Sequence, residues 1–171
     1  MRTVHFTSIF VVMLMANCLT TQAAIKTANV FLDGLQEVPP VATPATGSAA
    51  VTFDTVTGAM SVSGTFSDLI GTSIAAHVHG YQPAGVLAGV VFGINYDMGV
   101  NSGTFSGNGI IPAIRIMDVL NGLTYINIHS TFKPGGEIRG QIVNFVPEPA
   151  TLAFAVSGIG LALMRRNRRH R

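Results

Sequence analysis

The run Ala59-Met60-Ser61-Val62-Ser63-Gly64-Thr65-Phe66 sets Met60, Val62 and Phe66 in one alternating series with Gly64, and Ser61, Ser63 and Thr65 in the other. A period of two is the period of a strand with one face buried, and no helix can satisfy it. The run before it, Ala49-Ala50-Val51-Thr52-Phe53-Asp54, has the same alternation, and Thr55-Val56-Thr57-Gly58 between them reads as a hairpin turn. From Ile25 to Phe145 the chain repeats this theme of short Val/Ile/Thr/Ser runs separated by Gly, Pro and Asn. That pattern predicts an all-β domain, an antiparallel β-sandwich of Greek-key or immunoglobulin-like type, with little helix.

Taken in order, Asn29–Leu32 predicts a first strand, and Pro39, Pro40 and Pro44 exclude the next stretch from any central strand. After the hairpin, residues 68–72 read as a loop leading to a strand through Ala75-Ala76-His77-Val78-His79-Gly80. Val86–Asn95 reads as a longer strand interrupted by Gly89 and Gly93. Met98–Asn108, rich in Gly, Ser and Asn, reads as a loop with a short strand at Thr104–Ser106. Ile114–Leu120, with Pro112 ahead and Asn121-Gly122 behind, is the one helical turn. Leu123–Ser130 and Glu137–Phe145 predict a hairpin around Thr131–Gly136. The register that keeps polar with polar sets His129 opposite Glu137, Asn127 opposite Arg139, Tyr125 opposite Gln141 and Ile128 opposite Ile138. The hairpin then has one polar face and one core face.

Both ends depart from this composition. Met1-Arg2-Thr3 is positively charged, Ile9–Ala16 is apolar but too short to span a bilayer, and Thr20–Ala24 is made mostly of small residues, the three parts of a secretory signal over residues 1–24. Cys18, the single cysteine, lies in this segment, and Asn17 before it argues against lipidation. Residues 25–145 therefore contain no thiol and no disulfide. At the other end Val146-Pro147-Glu148-Pro149-Ala150 is followed by an apolar, helix-compatible run, 151–164, and a tail, 165–171, carrying five arginines. The arginines suit an anionic cytoplasmic surface, which makes the segment a membrane handle.

The net charge of +2 comes from that tail. Between Ala24 and Pro147 four basic residues face seven acidic ones, a balance of −3 that excludes nucleic-acid binding.

His77 and His79 stand at strand spacing and so on one face, where His129 from a neighbouring strand can join them. Three imidazoles suit Cu or Zn, with Glu137 a candidate oxygen ligand. The competing reading is a polar sheet face satisfied by hydrogen bonds. Catalytic readings fail: a dismutase needs a His- and Asp-rich zinc loop and cysteines that the domain lacks, and Ser130 has no nucleophile-elbow context. Gly135-Gly136 is followed by no helix N-terminus and is a turn, not a phosphate cradle. Tyr81, Tyr96 and Tyr125 are candidates for stacking on sugars, against the commoner reading of isolated tyrosines as half-buried packing. No enzyme activity and no organic cofactor is expected.

Two resemblances add to this. The tail resembles the PEP-CTERM sorting signal of exopolysaccharide-producing Gram-negative bacteria, with Val146, Pro147, Glu148 and Pro149 as motif, then the hydrophobic segment and the Arg cluster. It implies recognition by an exosortase, transient anchoring in the inner membrane, and delivery to the cell surface or extracellular matrix. Residues 29–145 resemble the CHRD family, the repeat first named in chordin. The matching blocks are Ala76–Gly80 with Pro83-Ala84-Gly85, Tyr125–Ser130, and Pro134–Ile142. Tyr81-Gln82 depart from the family pattern, which runs from His-Gly directly into Pro-Ala. The family implies a β-sandwich-like extracellular domain and no established reaction. Together these readings make the chain a non-enzymatic, structural or adhesive matrix component, partnered by exopolysaccharide or a secreted protein. The alternative is a secreted metal-binding module using His77, His79 and His129.

Overall fold

The computed structural model describes residues 25–148. Ten strands form one antiparallel sheet: β1 (Ile25–Asp33), β2 (Thr46–Asp54), β3 (Ala59–Ser67), β4 (Ser73–Gly80), β5 (Val90–Gly93), β6 (Asn95–Tyr96), β7 (Gly103–Ile110), β8 (Thr124–Ser130), β9 (Ile138–Gln141) and β10 (Val146–Pro147). Their order is β5-β4-β8-β9-β1-β2-β3-β7-β6, with β10 paired to β1. The two strands at the ends of this order, β5 and β6, are consecutive in the chain. Residues 90–96 therefore run from one end of the sheet to the other and wrap it into a nearly closed barrel. Between them Ile94 donates its N–H to the carbonyl of Ala76, 2.9 Å away. The expected all-β antiparallel class with little helix holds, and its two layers are opposite walls of one rolled sheet.

Alternation fills the interior. Leu32, Val51, Phe53, Met60, Val62, Val78, Ile126, Ile128 and Ile138 are buried in one cluster, each burial contributing roughly 1.5–3 kcal/mol. The hairpin of β2 and β3 forms as the sequence predicts, with Gly58 at φ 75 supplying the left-handed position after the turn. The single α-helix among the described residues, α1 (Ile116–Leu120), follows a 3-10 turn at Ala113–Arg115, where the helical turn was expected. No helix among the described residues is long and apolar enough to cross a membrane.

Three expectations are corrected. Residues 86–89 are not strand: both backbone groups of Ala88 bond side chains, its N–H to the Tyr125 hydroxyl at 3.1 Å and its carbonyl to His79 Nδ1 at 2.9 Å. Residues 103–110 are a full strand, not mostly a loop. Gly107 and Gly109 serve packing there, since a methyl group at Gly109 would overlap the Phe92 ring and one at Gly107 would crowd Ile94. The last hairpin strand stops at Gln141 rather than Phe145. The chain turns through Asn144 at φ 58, and Val146–Pro147 then pair with Lys26–Thr27. Segment 1–24, Pro149 and the expected hydrophobic helix and basic tail lie outside the described residues.

Candidate metal centre

The register of β8 and β9 is the predicted one: Tyr125 faces Gln141, Asn127 faces Arg139, and Ile128 faces Ile138. On the other side of β8, β4 sets His79 opposite Tyr125, His77 opposite Asn127 and Ala75 opposite His129. His129 is thus the diagonal neighbour of His77 on the non-core face, because Ala76, Val78, Ile126 and Ile128 occupy the core face.

The sequence gives this polar face no roof, yet the structure buries it. His79 and His129 are each 8% exposed, Asn127 2% and Arg139 1%. Two connections cover it, residues 34–41 after β1 and 81–89 after β4. Arg139 donates to the Val86 carbonyl at 3.1 Å and to Gln141 Oε1 at 2.9 Å. Its guanidinium lies 3.4 Å from the centre of the Tyr125 ring, and that ring stacks on His79 with centroids 4.9 Å apart and planes 3° from parallel. Gln36 accepts the Gln141 N–H at 3.1 Å, pinning the first connection.

The three rings converge. His129 Nδ1 lies 2.9 Å from the Pro134 carbonyl, and His79 Nδ1 2.9 Å from that of Ala88. A carbonyl only accepts, so both Nδ1 atoms carry the proton and both Nε2 atoms present a lone pair. The His129 Nε2 lies 3.0 Å from His77 Nδ1, whereas the buried His79 Nε2 has no hydrogen-bond partner. Ligand-capable atoms of the three rings lie within 4.8 Å of one another, so a point exists about 2.8 Å or less from each, against roughly 2.0–2.1 Å for a zinc–imidazole bond. Two nitrogens sharing one ion at angles of roughly 90–110° stand about 2.9–3.4 Å apart, which the His77–His129 pair already satisfies. Burial lowers the pKa of all three histidines, and against the opposing carbonyl bond the His77 ring and Arg139 lower that of His79 further, as the His77 and His79 rings do that of His129. That favours the neutral, ligating form.

Glu137 stands apart from the cluster. Its carboxylate is fully buried and accepts from Thr43 Oγ1 at 2.7 Å, Ile70 N at 2.7 Å, Gly71 N at 3.4 Å and the Ser130 hydroxyl. It fastens two connections to the hairpin and has no oxygen free for a metal, which corrects its candidacy as a ligand. Ser130, its partner, is structural. The tyrosines are packing residues: Tyr125 is buried, Tyr96 donates to the Ile74 carbonyl at 2.5 Å, and Arg115 lies 4.9 Å from the Tyr81 ring centre. Of the motif residues, Val146, Pro147 and Glu148 are exposed beside β1, and Pro149 is outside the described residues.

Sequence reasoning missed Glu37. It is 4% exposed, its Oε1 has no hydrogen-bond partner, and burial pushes its pKa up to about 7 against the opposing pull of Arg139 and the Val38 N–H. Asn127 Oδ1 is likewise buried and unpartnered, and both oxygens crowd the side-chain position that Gly136 leaves empty. A lone acid before two prolines has no signature that could reveal this. The carbonyls of Ala88 and Pro134 were equally invisible, because a backbone acceptor leaves no residue pattern.

A rolled antiparallel sheet with a roofed, three-histidine polar layer is the class of protein these features define. The sequence model of the CHRD domain matches residues 28–142, and the chain belongs to that family. Comparison with curated proteins and with solved structures returned no match.

Proposed function

We propose that this chain is an exported, non-enzymatic CHRD-domain protein that holds a copper or zinc ion on His77, His79 and His129. The observation that carries the reading is the pair of carbonyl-bonded histidines. With Nδ1 of His79 and His129 each tied to a backbone oxygen, the Nε2 lone pairs are fixed in tautomer and orientation, the arrangement that metal-binding histidines use. Glu137 being occupied elsewhere, a fourth position is left to water or an exogenous ligand. The setting we propose is the cell surface or extracellular matrix, reached through the secretory signal 1–24 and an exosortase acting on the tail 146–171. Its support is the sequence of those two segments.

The test is metal analysis and calorimetric titration of the purified chain with Cu(II) and Zn(II), beside a His77→Ala, His79→Ala variant. One equivalent of metal bound by the parent and lost in the variant is expected. A parent that binds no more than the variant would remove the metal from the reading, and a tagged chain found full length in the cytosol would remove the setting.

A further inference from the structure

We propose that the outward face of β1, β2, β3 and β7 is a binding surface for a neutral polysaccharide. The register of these strands lines up their outward side chains in rows. Thr27, Thr52, Ser61 and Asn108 form one row, and Asn29, Ala50, Ser63 and Ser106 the next. A third joins Phe31, Ser48, Thr65 and Thr104. Four strands about 4.8 Å apart and alternate residues about 6.8 Å apart make a field roughly 14 Å on a side, long enough for a short stretch of a sugar chain.

Three properties of the field select the ligand. It has no charge among these positions: Asp33 and Asp54 stand at the strand ends and Asp97 at the margin, where it takes the Thr104 hydroxyl at 3.0 Å. An anionic or cationic polymer therefore finds no counter-charge on it. Its Ser, Thr and Asn groups are both donors and acceptors, as sugar hydroxyls are, and apart from Thr104 none of them makes a side-chain hydrogen bond among the described residues. Phe31, 58% exposed, adds an aromatic ring at the end of the third row, able to lie against the C–H face of a pyranose while neighbouring hydroxyls bond its rim. A shallow concavity of about 480 Å³, bordered by Thr52, Ser61, Ser63, Ser106 and Asn108, opens on the same field. A second copy of the chain suits the field less well, since a stable dimer needs an apolar centre: within the three rows only Ala50 and Phe31 are apolar, and the exposed Ile110, opposite Ala59, lies beyond them at the strand ends.

The surface depends on the extracellular setting proposed above for its ligand, and not on the histidine site. The experiment is native gel electrophoresis of the full chain in gels containing laminarin or dextran, both neutral glucans, with dextran sulfate as the charged control. Retardation by at least one neutral glucan is expected, weakened at least tenfold in a Ser61→Ala, Ser63→Ala, Ser106→Ala variant and in Phe31→Ala, both unfolding at the parent's temperature. The assignment is overturned if neither glucan retards the chain, if only dextran sulfate does, or if the triple variant is retarded as strongly as the parent. A concentration-dependent dimer in sedimentation that the triple variant abolishes would reassign the face to self-association. If these failures occur while the tagged chain is still recovered outside the cell, the setting stands and the surface assignment alone falls.

Discussion

On β4, β8 and β9 the outward side chains are His77, His79, Tyr125, Asn127, His129 and Arg139, and two connections roof them. On β1, β2, β3 and β7 the outward side chains are mainly Ser, Thr and Asn, and they meet water. Both sets lie on the same side of the same sheet, with the same alternation. The difference is hydrogen-bond obligation. Buried polar groups destabilise unless partnered, so the roofed side is built from long side chains that reach loop carbonyls. Arg139 reaches Val86, His79 reaches Ala88 and His129 reaches Pro134. The open side has no such obligation, and short hydroxyls suffice. Its polar groups stay available for a partner, whereas those of the roofed side are mostly spent within the fold, with His79 Nε2 and Asn127 Oδ1 left unpartnered.

The largest effect that could break this contrast is expected at Glu137. Replacing it by Ala removes the acceptor for Thr43, Ile70, Gly71 and Ser130 at once. Stranding buried donors around a lost charge should destabilise the domain by about 3–5 kcal/mol, read as a lower urea midpoint. A loss below about 1 kcal/mol, the size of one ordinary hydrogen bond, would mean that the connections through Thr43 and through Ile70-Gly71 are not held by this carboxylate.

Next comes Glu37. Its pKa of about 7 in the fold stands above the ordinary glutamate value of 4.5, so between these values the folded chain binds the extra proton and stability falls as pH rises. Below pH 4.5 the effect is absent, and above pH 7 it reaches on the order of 3 kcal/mol. Glu37→Gln keeps a neutral donor beside Asn127 at every pH. It should leave stability at pH 4 unchanged and raise it at pH 8 by that order, measured by urea unfolding at both pH values. Equal stabilisation at both would show that ionisation is not the cause.

Metal should act on the roofed side alone. An ion at a hundredfold excess over its dissociation constant adds about 2.7 kcal/mol to a fold that binds it. Cu(II) or Zn(II) should therefore raise the thermal midpoint of the parent and of outer-face variants, but not of His129→Ala. A rise in His129→Ala equal to the parent's would place the ion elsewhere.

How far this contrast could be read in advance depended on what carries it. The β8–β9 register was legible because a slip by one residue would exchange Ile128 and Ile138 with Asn127 and Arg139. The meeting of His77, His79 and His129 was legible from strand spacing. The roof was not, because alternation reports only that one side is apolar. Whether the polar side is wet depends on loops whose anchors are backbone carbonyls. Gly107 and Gly109 misled for a related reason: glycine marks both a loop and a strand pressed against Phe92, and composition cannot separate them.

The smallest expected effect is the sharpest on the open side. Ser61, Ser63 and Ser106 are exposed, and their hydroxyls bond no side chain among the described residues. Each change to Ala should then move stability by no more than about 0.5 kcal/mol, the range of surface substitutions away from special features. Ser130→Ala, the same chemical change on the buried side, removes a hydroxyl that donates to Glu137 and accepts the Lys133 N–H at 3.2 Å. It should cost about 1–3 kcal/mol, because a buried carboxylate loses a donor. Urea unfolding of the four single variants under one set of conditions makes the comparison. If Ser63→Ala is as costly as Ser130→Ala, the outer hydroxyls are structural, and they are not free for a sugar chain to use.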